Sequence, residues 1–168
     1  MALHNVDIKG LNAVTSKLKA LGADLPQIVD KSLETSAESL KRAVQEKTRT
    51  VTASYNGHVY KAYDTGQLAR GIITRKTAQC QWQVAATAEH SIFVEFGTGS
   101  AGDPAVAHTA RPKWVYFSEL DGEYRTAYPQ PARPYMRPAF AENKDRIVYQ
   151  LRNDIVQAAI SAYKGGNE

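Results

Sequence analysis

Gln130-Pro-Ala-Arg-Pro-Tyr-Met-Arg-Pro-Ala-Phe140 is the stretch on which the reading of the chain turns. Two Arg-Pro pairs fix the backbone at two points and set two permanent cations on a stiff lead-in. Pro138 suits the first turn of a helix, where its missing N–H is not needed. From there Phe140, Ile147, Val148, Leu151, Ile155, Ala158, Ala159 and Ala162 recur at helical spacing and stop before Gly165-Gly166. The pattern predicts a long amphipathic C-terminal helix entered through a rigid, cationic segment. Such an entry suits docking better than turnover.

Upstream, Leu11, Val14, Leu18 and Leu21 predict a short helix closed by Gly22. Asp24-Leu-Pro-Gln27 opens a second helix running to about Lys47, with Val29, Leu33, Ala37, Leu40 and Val44 on its apolar face and Lys31, Glu34, Glu38, Lys41 and Arg42 on a solvated one. Residues 48–63 are rich in Thr and Tyr, carry a turn signal at Asn56-Gly57, and read as a loop that is mobile or ordered by a partner. Asp64-Thr65-Gly66-Gln67 fits the cap of a single helical turn ending near Gly71.

Residues 72–76 and 81–86 read as paired strands, the second alternating Trp82, Val84 and Ala86 with Gln81, Gln83 and Ala85, hence one buried and one wet face. Residues 91–97 are apolar and are read as a strand in preference to a buried helical turn. A loop follows over 97–112. Residues 113–117 and 123–128 flank Asp121-Gly122 as a hairpin. The order predicts an α+β fold: N-terminal helices, a small antiparallel sheet with a hairpin insertion, and a long C-terminal amphipathic helix. It is read as one domain over 1–168, with flexible ends at 1–7 and 164–168 and a loop-rich insertion at 97–134.

Composition narrows the function. The +4 charge arises from 21 basic and 17 acidic side chains scattered along the chain, with no basic arm of the kind that grips nucleic acid. Cys80 is the sole cysteine, so no internal disulfide forms, and a lone thiol is more often a small core residue than a nucleophile. No stretch has the length or apolarity of a membrane span, and the N-terminus lacks a signal-peptide pattern; a cytoplasm-like compartment is expected.

His4, His58, His90 and His108 fall in separate segments without metal-ligand spacing, and no phosphate loop or nucleophile elbow is present, so neither metal nor cofactor is expected. Glu95 lies between Val94 and Phe96. A buried carboxylate there needs a cation, Arg133 or Arg137, and structural pairing is favoured over acid catalysis. Tyr55, Tyr60, Tyr63, Tyr116, Tyr124, Tyr128 and Tyr135 are placed mostly in loops or hairpin edges, where they either serve an interface or cover the sheet.

Three segments together resemble a known family: Tyr63-Asp-Thr-Gly-Gln-Leu-Ala-Arg-Gly-Ile72, Glu89-His-Ser-Ile-Phe-Val-Glu-Phe-Gly-Thr98, and residues 130–147 beginning Gln130-Pro-Ala-Arg-Pro. Their order and spacing look like the tail-completion, or head–tail joining, proteins of long-tailed bacteriophages and prophages. Tyr135 and Met136 stand where that family usually has Phe-Leu, Glu89-His90 where it has Tyr-Ala, and the insertion through 99–128 is long.

The resemblance implies a non-enzymatic structural protein of the virion, at the neck or upper tail, assembled in the host cytoplasm. It implies a homo-oligomeric ring, six-fold in symmetry, that contacts head-closure, tail-terminator or tail-tube proteins. Duplex DNA would pass through the ring without sequence recognition. The alternative classes are a DNA-binding regulatory or packaging module and a small hydrolase using Glu95, His90 or Cys80. Candidate interface residues are Thr65, Gly66, Leu68, Glu95, Phe96, Gly97, Thr98, Trp114, Tyr116, Arg133, Pro134, Tyr135, Arg137 and Pro138.

Overall fold

The computed structural model describes residues 25–62, 66–107, 111–119 and 121–165. The expected helix over 11–21, the capping Asp24, Asp64 and Thr65 lie outside them. Among the described residues, four α-helices alternate with three two-stranded antiparallel sheets: α1 (Leu25–Thr50), β1 (Thr52–Tyr55), β2 (His58–Lys61), α2 (Gln67–Arg70), β3 (Ile72–Ala78), β4 (Gln81–Ala86), α3 (Ser91–Phe96), β5 (Trp114–Ser118), β6 (Glu123–Ala127) and α4 (Met136–Gly165). The α+β class is as expected; the sheet is not one but three separate hairpins.

α1 and α4 form the frame. Lys47 reaches Glu142 (2.6 Å), Arg146 reaches Ser39 (2.8 Å) and Ser32 bonds Asp154, so the contacts fall in opposite order along the two helices and the pair is antiparallel. Between them and β3–β4 lies the main core, built from Leu40, Val44, Leu68, Ile72, Val84, Val94, Tyr135, Met136, Ala139 and Ile147. A second cluster of Val29, Leu33, Cys80 and Leu151 closes the far end. α1 runs three residues past the expected Lys47, and α4 starts two residues before Pro138 and extends to Gly165. Along α4, Val148 is 60% exposed, so it leaves the expected stripe, whereas Ile147 and Leu151 keep it.

Three local readings are corrected. Residues 48–63 contain the end of α1 and the β1–β2 hairpin, where Asn56 (φ 50) and Gly57 (φ 78) both take the positive φ of a tight type I′ turn. β4 has no wet face from Gln83 onward, because Gln83, Val84, Ala85 and Ala86 are all buried and Arg75 Nε covers the Gln83 amide oxygen at 2.6 Å. Residues 91–96 are α-helical, not a strand.

Asp30 of α1 secures the β3–β4 turn by accepting from Lys76, from the Cys80 amide at 3.2 Å and from the Trp82 indole at 3.1 Å. Burial works to raise its pKa, but these bonds outweigh burial and hold the carboxyl below the usual carboxylate range. Glu38 is lowered too, chiefly by the Thr74 hydroxyl. Depressed folded values mean that the stability these groups contribute is present above the ordinary carboxylate pKa of about 4 and is lost as pH falls through the folded values. Urea unfolding measured between about pH 5 and pH 2.5 is expected to show stability falling with acidity, and Asp30→Asn is expected to flatten part of that slope. An unchanged slope in the variant would contradict this anchoring.

Candidate interface at the entry to the last helix

The first turn of α4 presents backbone N–H groups that no helical carbonyl can accept, since the first intrahelical bond runs from Ala139 N to Tyr135 O (3.4 Å). Glu95, 3% exposed at the end of α3, takes all three that exist. Its Oε2 accepts from Tyr135 N (2.8 Å) and Met136 N (2.9 Å), and its Oε1 from Arg137 N (3.1 Å). The fourth position is Pro138, which has no N–H. One buried carboxylate therefore caps the helix completely from a distant segment, with its charge at the positive end of the helix dipole.

Arg137 completes the lock. Its Nε donates to Glu95 Oε1 (3.2 Å), its Nη2 donates to Asp103 Oδ2 (2.7 Å), and its guanidinium stacks 4.7 Å from the Phe96 ring centre. Of the two arginines expected to pair with Glu95, only Arg137 does so. Arg133, 6% exposed, instead donates to the Lys61 carbonyl (3.0 Å) and the Gln130 side chain (2.8 Å), with its guanidinium 5.7 Å from the Tyr60 ring centre. Its own amide donates to Val94 O (2.8 Å), which ties the 130–135 lead-in to α3. With both oxygens engaged, Glu95 is a cap and not an acid aimed at a substrate.

Tyr135 is a correction: it is fully buried in the main core, not at a loop edge. Burial and then the nearby Glu95 charge push its pKa well above the ordinary tyrosine value. Its hydroxyl reaches only the Ser91 carbonyl at 3.5 Å, a weak bond. Tyr135→Phe is therefore expected to change stability by less than about 1 kcal/mol, as read by chemical denaturation. A loss of several kcal/mol would show that the hydroxyl does more than this geometry allows.

Beside the lock, Thr98 and Gln130 form an isolated antiparallel bridge (Thr98 N to Gln130 O 2.8 Å, Gln130 N to Thr98 O 3.2 Å). Gly97 makes that approach possible. An open groove of about 960 Å³ runs from the β2 end past α2 and α3 to the base of the β5–β6 hairpin. It gathers eight expected interface residues: Gly66, Leu68, Phe96, Gly97, Thr98, Trp114, Tyr116 and Arg133. Glu95, Pro134, Tyr135, Arg137 and Pro138 belong to the α4 entry, and Thr65 lies outside the described residues.

The residues that sequence reasoning passed over here are Phe93, Asp103 and Gln130. Phe93 was hidden by the strand assignment, since a helical 91–96 turns it outward to 54% exposure. Cys80, a member of the second core cluster, donates its thiol to the Pro26 carbonyl at 3.5 Å. No group of three metal-ligating side chains occurs among the described residues, and no described helix is long and apolar enough to cross a membrane.

A family model described as "Bacteriophage HK97-gp10, putative tail-component" matches residues 12–97, just over half of the chain. The matched region ends at Gly97, two residues after the Glu95 cap. Neither the curated proteins nor the solved structures contain a significant match.

Proposed function

Because the chain belongs to the HK97 gp10-like family of bacteriophage tail components, we propose that it is a tail-completion, or head–tail joining, subunit that forms a ring around the DNA channel. As a tail component it is a structural protein of the virion, and its partners include other phage structural proteins. The observation that carries the finer reading is the α4 entry, where Glu95, Arg137 and Asp103 fasten α3, the following loop and the last helix into one rigid body beside an aromatic groove. A ring needs such a body, because each copy must present two different surfaces at a fixed angle for the contacts to close.

The β5–β6 hairpin supports the same reading. Val115, Phe117 and Tyr124 are 64%, 52% and 78% exposed on one of its faces, and a lone two-stranded ribbon is marginal until something covers it. Neighbouring copies, six in the proposed ring, and the head-closure, tail-terminator or tail-tube proteins above and below would provide that cover. The modest +4 charge suits a channel through which DNA slides without being held. Purified protein, weighed by light scattering and imaged in negative stain, is expected to give closed rings with an open centre. A monomer at every concentration would contradict the proposal.

A further inference from the structure

Among the described residues, the groove holds a buried cation with no counter-charge. Arg133 is 6% exposed, its Nε has no hydrogen-bond partner among the described residues, and no described carboxylate lies within ion-pair distance of it. Among the described residues, its guanidinium meets a carbonyl, an amide oxygen and an aromatic face, all neutral. Burial lowers its pKa from the ordinary arginine value, although the guanidinium stays charged. Such a charge is costly to leave unpaired. Lys61 adds a second cation, Phe93 and Trp114 supply apolar surface, and among the described residues lining the groove there is no Asp or Glu.

The complementary surface lies on the same chain. The far end of the β5–β6 hairpin carries Glu119, Asp121 and Glu123 beside Phe117 and Tyr124, all exposed. Asp121 is paired with Arg125, whereas Glu119 and Glu123 have no ion-pair partner among the described residues. A chain cannot seat this end in its own groove. The base of the hairpin, at Trp114↔Ala127, is already part of the groove wall, and the four steps from there to Ser118↔Glu123 carry the acidic end about 13 Å away along the ribbon.

We propose that the groove receives the acidic, aromatic hairpin tip of a second copy of this chain, with Glu119 or Glu123 of the tip facing Arg133 and Lys61. The contact is heterologous: tip meets groove, which leaves one copy its groove and the other its tip for the next. It rests on the ring reading and specifies which surfaces build the ring.

Two variants at exposed positions test it: Glu119→Gln/Glu123→Gln, which leaves the tip neutral, and Lys61→Glu/Phe93→Asp, which makes the groove acidic. Both are expected to keep the wild-type melting temperature and to weaken self-association by about thirtyfold or more in sedimentation experiments. Mixed together they are expected to form one-to-one dimers that grow no further, because the intact tip of one fits the intact groove of the other and the remaining pair is disabled. A tip variant that assembles like wild type, or a mixture that stays monomeric, would overturn the tip-in-groove contact while leaving the ring reading in place. Wild-type protein that never assembles would remove the ring itself, and this contact with it.

Discussion

Glu95→Ala is expected to destabilise the protein by about 3–5 kcal/mol, the cost of breaking a buried charged interaction from one side. For a chain of this size that is a fall in melting temperature on the order of 10 °C. The magnitude follows from what the substitution strands. Tyr135 N, Met136 N and Arg137 N lose their acceptor together, and the first two sit where water does not reach. Arg137 loses one of its two carboxylate partners. Glu95→Gln keeps one acceptor oxygen but turns an NH2 toward donors, and is expected to fall between wild type and alanine. Lys31→Ala, which removes only an exposed pair with Glu34, is the matched control and is expected to leave the melting temperature unchanged. A melting temperature within about 2 °C of wild type for Glu95→Ala would contradict the capping role.

Gly97→Ala is expected to cost about 3 kcal/mol or more, from two sources that act together. The backbone at Gly97 has φ 72 and ψ −173, a region that residues with a Cβ avoid. The added methyl would also meet Gln130 O at 2.6 Å and Ala132 N at 2.7 Å, both backbone atoms that cannot swing aside. Relief requires the Thr98–Gln130 bridge to open and the lead-in to α4 to move. Gly57→Ala separates the two sources, because Gly57 has φ 78 in a turn with nothing within 4 Å of the added Cβ. It should show the conformational cost alone, about 1–2 kcal/mol. Equal losses at the two sites in denaturant unfolding would mean that the close approach at Gly97 carries no weight.

The parts of the fold that depend on local chemistry were legible in the sequence. The apolar stripe of α1, the long α4 with proline in its first turn, the β3–β4 pairing and the β5–β6 hairpin all follow from periodicity and turn residues. What failed were elements decided by distant contacts. Six apolar residues over 91–96 fit a strand or a helix equally well, and helix wins because Glu95 must reach the α4 N-terminus while Val94 enters the core. Gln83 reads as wet by alternation alone, but Arg75 across the hairpin covers it.

The site was half legible for the same reason. A carboxylate flanked by apolar residues announced that Glu95 needs partners, and Arg137 was among those named. That the main partners are backbone N–H groups is visible only once α3 stands against α4. Arg133 showed the opposite. It looked like an ion-pair partner in sequence, and among the described residues the groups that accept from it are neutral. The match to the tail-component family covers the helical and β-rich first half. The hairpin and α4, on which the assembly proposal rests, lie beyond the match.

The central claim is that this tail component joins heads to tails. Its most direct test is electron microscopy of particles produced by a phage or prophage from which this gene has been removed. The account predicts filled heads and separate tails accumulating side by side, with joined virions restored when the protein is supplied in trans. Joined, infectious particles in the absence of the protein would contradict it.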